Sequence, residues 1–161
     1  MQGEVAVPTT STAAPAFVEL PQRGDARGLR MVHHVSAVPQ ARREFLSDVV
    51  PRVDATVSSE AAVVVSELLG NAVRHARGVD GEVLLRWQVR AGTVDIEVTD
   101  GGAGVGAEVR PRRPDVYSTG GRGLRIVRSL AHEWGVLEDD AGRRTVWAAV
   151  GGPSKRRRRA S

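Results

Sequence analysis

Between Asp54 and Ala76 the apolar residues Val57, Ala61, Val64, Val65, Leu68, Ala72 and Val73 recur at three- and four-residue steps. That spacing puts them on one stripe of an α-helix, and a stripe this long must be covered by a large apolar surface. Just downstream, Glu82 to Arg90 and Thr93 to Thr99 alternate apolar and polar residues around Ala91-Gly92, the pattern of a β-hairpin with one buried face. A long helix followed by a hairpin able to cover it restricts the chain to a layered α/β arrangement.

The remaining elements extend that arrangement. Leu29 to Val35 reads as a short extended segment, and a helix is expected from Pro39 through Ala41, Phe45, Leu46 and Val49 until Pro51 stops it. A third helix is expected over Leu124 to Glu133. Two last strands, Gly135 to Glu138 and Arg144 to Val150, are joined by the turn Asp139-Asp140-Ala141-Gly142. Gly101 to Gly121 is rich in glycine, contains proline and has no period; a connection that long in a compact domain is usually a lid or binding loop. The expected fold is a two-layer α/β sandwich, a mixed, mostly antiparallel sheet with helices on one face. Residues 1–27 are expected to be a disordered extension, 28–151 the folded domain and 152–161 a basic tail. Trp87, Trp134 and Trp147 are expected to fill the core.

With 161 residues the chain has room for one sizeable core. It has no cysteine, so disulfides, thiol nucleophiles and thiolate metal sites are excluded, and four scattered histidines offer little for a zinc centre. The first residues lack a basic leader with a continuous apolar run, and no stretch approaches the roughly 20 apolar residues of a membrane span, so a cytoplasmic location is expected. The formal net charge is +4, but Lys155 to Arg159 contribute five positive charges and leave −1 on everything before and after them. The domain body therefore lacks the basic stripe of a nucleic-acid surface, and nucleic acid is not expected among the partners. The tail itself reads as a solvated end, with binding to an acidic partner or to nucleic acid as the alternative.

Three short motifs could carry chemistry. Glu67 and Asn71 are four residues apart, so a helix stacks them on one face, where both can act on one ligand. A neutral amide oxygen suits a Mg²⁺ held mainly by phosphates and water, and a neighbouring carboxylate can accept a proton from an attacking hydroxyl. Alone, such a pair is more often a solvated helix face. Asp100 ends a strand and precedes Gly101, Gly102 and Gly104, which alone would be an ordinary Asp-Gly turn. Gly121, Arg122, Gly123 and Leu124 open a helix, where free N–H groups and absent side chains favour close approach of an anion. Arg122, Arg125 and Arg74 could neutralise phosphate, or could be chance placements in a chain whose basic residues are arginines but for Lys155.

In this order and on these elements, Glu67-Leu68-Leu69-Gly70-Asn71, Asp100-Gly101-Gly102-Ala103-Gly104 and Gly120-Gly121-Arg122-Gly123-Leu124 resemble the asparagine box and the two glycine boxes of the GHKL (Bergerat-fold) ATPases and kinases. The resemblance spans about Leu29 to Val150 and includes Thr145-Val146-Trp147 on the last strand. It implies ATP as ligand, with Mg²⁺ held through Asn71 and the phosphates, and Asp100 accepting from the adenine amino group. Gly102 and Gly104 would line the base and hinge the lid. Gly121, Arg122, Gly123 and Leu124 would meet the phosphates, Thr145 would stand beside the adenine, and Glu67 would be the catalytic base. His75 also fits an Asn-x-x-x-His-Ala pattern of the family, with helix capping as the alternative.

Taken as it stands, the chain has the size of a bare ATP-binding domain. In that and in its Thr-Val-Trp-Ala ending it resembles the anti-sigma-factor serine/threonine kinases of this superfamily. The partners so implied are a sigma factor and a STAS-domain anti-anti-sigma factor, with room for a homodimer and no membrane. Two other readings stay open: a nucleotide-binding regulator that sequesters a partner without phosphotransfer, and a protein with vestigial boxes whose basic tail binds nucleic acid.

Overall fold

The computed structural model describes residues 17–75, 81–101, 111–112 and 122–152. Seven strands form one sheet in the order β1-β2-β3-β4-β7-β6-β5, where β1 is Phe17–Glu19, β2 Arg27–Val32, β3 Glu82–Arg90, β4 Thr93–Asp100, β5 Pro111–Arg112, β6 Glu133–Glu138 and β7 Arg144–Gly151. Among the described residues three helices, α1 (Val38–Val49), α2 (Ala55–His75) and α3 (Arg122–Leu130), complete the α+β fold. Where a mixed, mostly antiparallel sheet was expected, each described pairing is antiparallel. Among the described residues no helix is long and apolar enough to cross a membrane.

Each element forms for a local reason. Pro39 sits in the first turn of α1, where its missing N–H costs nothing, and Pro51 lies in the single 3-10 turn that ends the helix. Asp54 caps α2, its carboxylate accepting the Val57 N–H at 2.9 Å. The β3–β4 hairpin turns on Ala91 and Gly92, both at positive φ (46° and 76°), the backbone of a two-residue turn that follows sheet twist. Asp139 stabilises the last turn by accepting N–H groups of Ala141 and Arg143.

The core lies between the sheet and the helices. Leu29 and Met31 of β2, Val83, Leu85 and Trp87 of β3, Val94, Ile96 and Val98 of β4, and Ala148 and Val150 of β7 meet Phe45 and Val49 of α1 and Val57, Val64, Val65 and Leu68 of α2. Val127 carries α3 into the same cluster. At α1, Asp48 accepts from the Trp87 indole N–H at 2.8 Å and pairs with Arg27 and Arg52 at 3.1 and 3.0 Å, while Phe45 meets the Trp87 ring edge-on.

Three expectations need correction. Phe17–Glu19 were placed in the disordered extension but pair with Leu29 to Met31, because β2 has a free edge whose backbone groups they satisfy. Helix α3 runs 122–130 rather than 124–133, since Glu133 and Trp134 pair with Ala149 and Ala148 instead. Of the three tryptophans only Trp87 is fully in the core. Trp134 packs at its margin, and Trp147 alternates to the opposite face, where its indole lies against Gly135; a Cβ there would be 2.8 Å from the ring nitrogen.

Candidate nucleotide site

The C-terminal half of α2 lies at the end of the sheet where β3 begins. His33, just past β2, fixes this: its N–H donates to Gly81 O at 2.6 Å and its ring Nε2 bonds the carbonyl of Ala72 at 3.2 Å. Val83 pairs with Asp100 across β3 and β4, so Asp100 ends its strand at that same end of the sheet. Asp100 continues the alternation of Val94, Ile96 and Val98 and therefore belongs to the helix-facing side.

Helix α3 brings the second element to the first. Gly123, buried in its opening turn, lies directly on the side chains of α2: a Cβ built on it would be 2.5 Å from Glu67 Oε2 and 3.1 Å from Asn71 Nδ2. No other residue type fits that contact without displacing one or both groups. The opening turn of α3 carries N–H groups without intrahelical partners and the positive end of the helix dipole, and it faces a carboxylate and an amide one helical turn apart. Arg74 adds a cation: its guanidinium folds back over Gly70 and donates to Asn71 Oδ1 at 3.1 Å.

These residues fit a nucleotide phosphate chain. They supply a side-chain-free approach at Gly123, helix N–H groups for anionic oxygens, a guanidinium at Arg74, and an amide oxygen for a phosphate-bound Mg²⁺. Among the described residues no three His, Cys, Asp or Glu side chains converge.

Residues 31–150 match the family of histidine kinase-like ATPase domains, a span of well over half the chain. The chain belongs to that family. The GHKL-type architecture read from the three motifs is thereby established, and ATP is the nucleotide that membership of the histidine kinase-like ATPase family implies. Comparison with curated proteins finds no match.

Within this ATPase domain the anticipated site residues are placed as follows. Glu67, Asn71 and Gly123 meet; Arg122 and Leu124 flank Gly123 on α3, Arg122 exposed and Leu124 half-buried; Asp100 stands at the same end of the sheet. Gly102, Gly104 and Gly121 lie outside the described residues, as does the side chain of His75.

Thr145 is not brought to Asp100. It pairs with Thr99, and the two hydroxyls share a 2.7 Å hydrogen bond on the face away from the helices. The β7 residue across from Asp100 is Arg144, which in turn pairs with Glu138 of β6. Arg144 was not anticipated, although a signal existed. Counting back by two from Val150, Ala148 and Val146 puts Arg144, not Thr145, on the buried side.

Proposed function

We propose that this ATPase domain is a cytoplasmic anti-sigma factor with serine kinase activity toward a STAS-domain anti-anti-sigma partner, regulating transcription by partner switching. The observation that carries the reading is the convergence of Glu67 and Asn71 on the backbone of Gly123. It supplies a base, a polar ligand and a helix start in one place, the parts phosphoryl transfer needs. The resemblance of Thr145-Val146-Trp147-Ala148 to the ending of the anti-sigma serine kinases, noted in the sequence, supports the choice of acceptor.

In this reading Arg74 and the start of α3 hold the phosphates, and Asn71 would help to hold a Mg²⁺ that would supply charge neutralisation. The partner's serine hydroxyl attacks the γ-phosphorus. Its proton passes to the Glu67 carboxylate, the new O–P bond forms, and the bond to the departing ADP oxygen breaks. Placement and charge neutralisation account for most of the acceleration, as is general for this chemistry.

Titration calorimetry with ATP and ADP, with and without Mg²⁺, on the wild type and on Asp100→Asn tests the nucleotide site. Labelled-phosphate transfer from ATP to purified STAS-domain proteins of the same genome, by the wild type and Glu67→Ala, tests the kinase. The expected result is adenine-specific binding weakened in Asp100→Asn, with transfer abolished but binding retained in Glu67→Ala. Binding without transfer to any STAS protein overturns the kinase reading in favour of a regulator that sequesters its partner, and no binding at millimolar nucleotide overturns the nucleotide reading itself.

A further inference from the structure

Cross-strand register places Asp100 between Val83 and Arg144, and Arg144 between Asp100 and Glu138, in one row at the end of the sheet. Residues directly opposite in an antiparallel pair have Cβ atoms roughly 5 Å apart, so the Arg144 side chain leaves the sheet beside that of Asp100 and on the same side. That side is the one facing the helices, since Val98 and Val146, the next row inward, belong respectively to the buried core and to the shell packed against it.

Arg144 is half-buried, and its Nε is fully enclosed without a hydrogen-bond partner. An enclosed guanidinium N–H left unbonded is costly, and native proteins keep few such groups. The side chain that carries it leaves β7 directly across from Asp100, whose carboxylate the nucleotide reading assigns to the adenine amino group. Adenine presents its amino donor beside ring-nitrogen acceptors, so an acceptor and a donor side by side on the protein complement one edge of the base.

We propose that Arg144 is a base-reading residue of the nucleotide site: its Nε–H donates to a ring nitrogen of the purine whose amino group Asp100 accepts, the place expected for Thr145. The proposal rests on the adenine-nucleotide reading above. A binding residue at this point of β7 accounts for a polar N–H enclosed at the margin of an apolar core. It also assigns to one strand-end row both halves of the base contact.

The test is calorimetry on the full chain with three probes: ADP, inorganic tripolyphosphate, and purine riboside 5′-diphosphate, which keeps the ring nitrogens but lacks the 6-amino group. Arg144→Met, which keeps the apolar stem, and Arg144→Lys, which keeps a donor, are compared with the wild type after thermal melts establish that each folds. Arg144→Met is expected to bind ADP about tenfold or more weakly, as loss of a charge-assisted hydrogen bond implies, and tripolyphosphate as the wild type does. Arg144→Lys should recover part of the ADP affinity. The loss in Arg144→Met should persist with purine riboside 5′-diphosphate.

Unchanged ADP affinity in both variants overturns the proposal. So does equal weakening of ADP and tripolyphosphate, which would make Arg144 a phosphate or structural residue. A loss that vanishes with purine riboside 5′-diphosphate also overturns it, because Arg144 would then act only by holding Asp100. If the wild type itself binds tripolyphosphate but not ADP, the adenine reading fails first, a result distinguishable from the failure of Arg144 alone.

Discussion

Gly123 and Glu67 are in such close contact that a single methyl group on the glycine would stand 2.5 Å from the carboxylate oxygen. The seating of α3 on α2 thus depends on a side chain being absent. Gly123→Ala must push either Glu67 or the start of α3 out of place. It is expected to weaken ATP binding at least tenfold and to cost about 1–3 kcal/mol of stability, as overpacking a buried contact does. Calorimetry and urea unfolding measure the two effects, and wild-type values in both would show that the contact yields freely.

Asp48 links sheet and helix and gives the fold an acid sensitivity. Burial opposes its charge, but the Trp87 indole N–H, the Arg27 guanidinium and the charge of Arg52 outweigh that and hold its carboxyl below the ordinary 3.8. A depressed folded-state value means that the group stabilises the protein above the unfolded value and that this stabilisation disappears as pH falls through the folded value. Asp48→Asn should therefore cost about 1–3 kcal/mol at pH 7. The gap to the wild type should shrink as pH falls below about 3.8, the value at which the unfolded carboxylate is half protonated. Urea titrations at several pH values measure it; a gap independent of pH would mean that the ion pairs contribute nothing.

Thr145 shares a hydrogen bond with Thr99 across the sheet. Thr145→Val removes the hydrogen bond to Thr99 at constant volume and is expected to lower stability by about 1 kcal/mol while leaving ADP affinity unchanged. Thermal unfolding and nucleotide titration on the same preparation decide it. A large loss of affinity would return Thr145 to the base.

The hairpin tip can be improved. Ala91 is the one described non-glycine residue at positive φ, a conformation in which its Cβ is strained and which asparagine adopts more readily. Ala91→Asn is expected to raise stability by about 0.5–1 kcal/mol, seen as a higher melting temperature with nucleotide binding unaltered.

What could be read from the sequence follows how far each signal travels along the chain. The helix at Val57 to Val73 and the hairpin around Ala91-Gly92 are carried by periodicity within a few turns or strands, and the structure has them where the pattern puts them. Glu67 with Asn71 is a one-turn relation, legible for the same reason. Their meeting with Gly123 needed the motif order, since nothing local joins residues so far apart. Strand β1 was missed because three residues have no period, and only β2 gives them a reason to be extended. Asp48 carries no local signal, because its partners Arg27 and Trp87 lie 21 and 39 positions away. The face of Thr145 was legible by alternation, and the resemblance drew attention to the residue instead of to its parity.

The sheet is built with its long strands inside and its short ones outside. Among the described residues, three-residue β1 lies at one edge and two-residue β5 at the other, while β3, β4 and β7, of eight or nine residues each, are paired on both sides. An edge so short offers an incoming chain few unpaired N–H and C=O groups to template on. Short outer strands guard extended backbone against edge-to-edge aggregation, and loss of β1 would uncover the six-residue β2 as a surface on which further copies could pair.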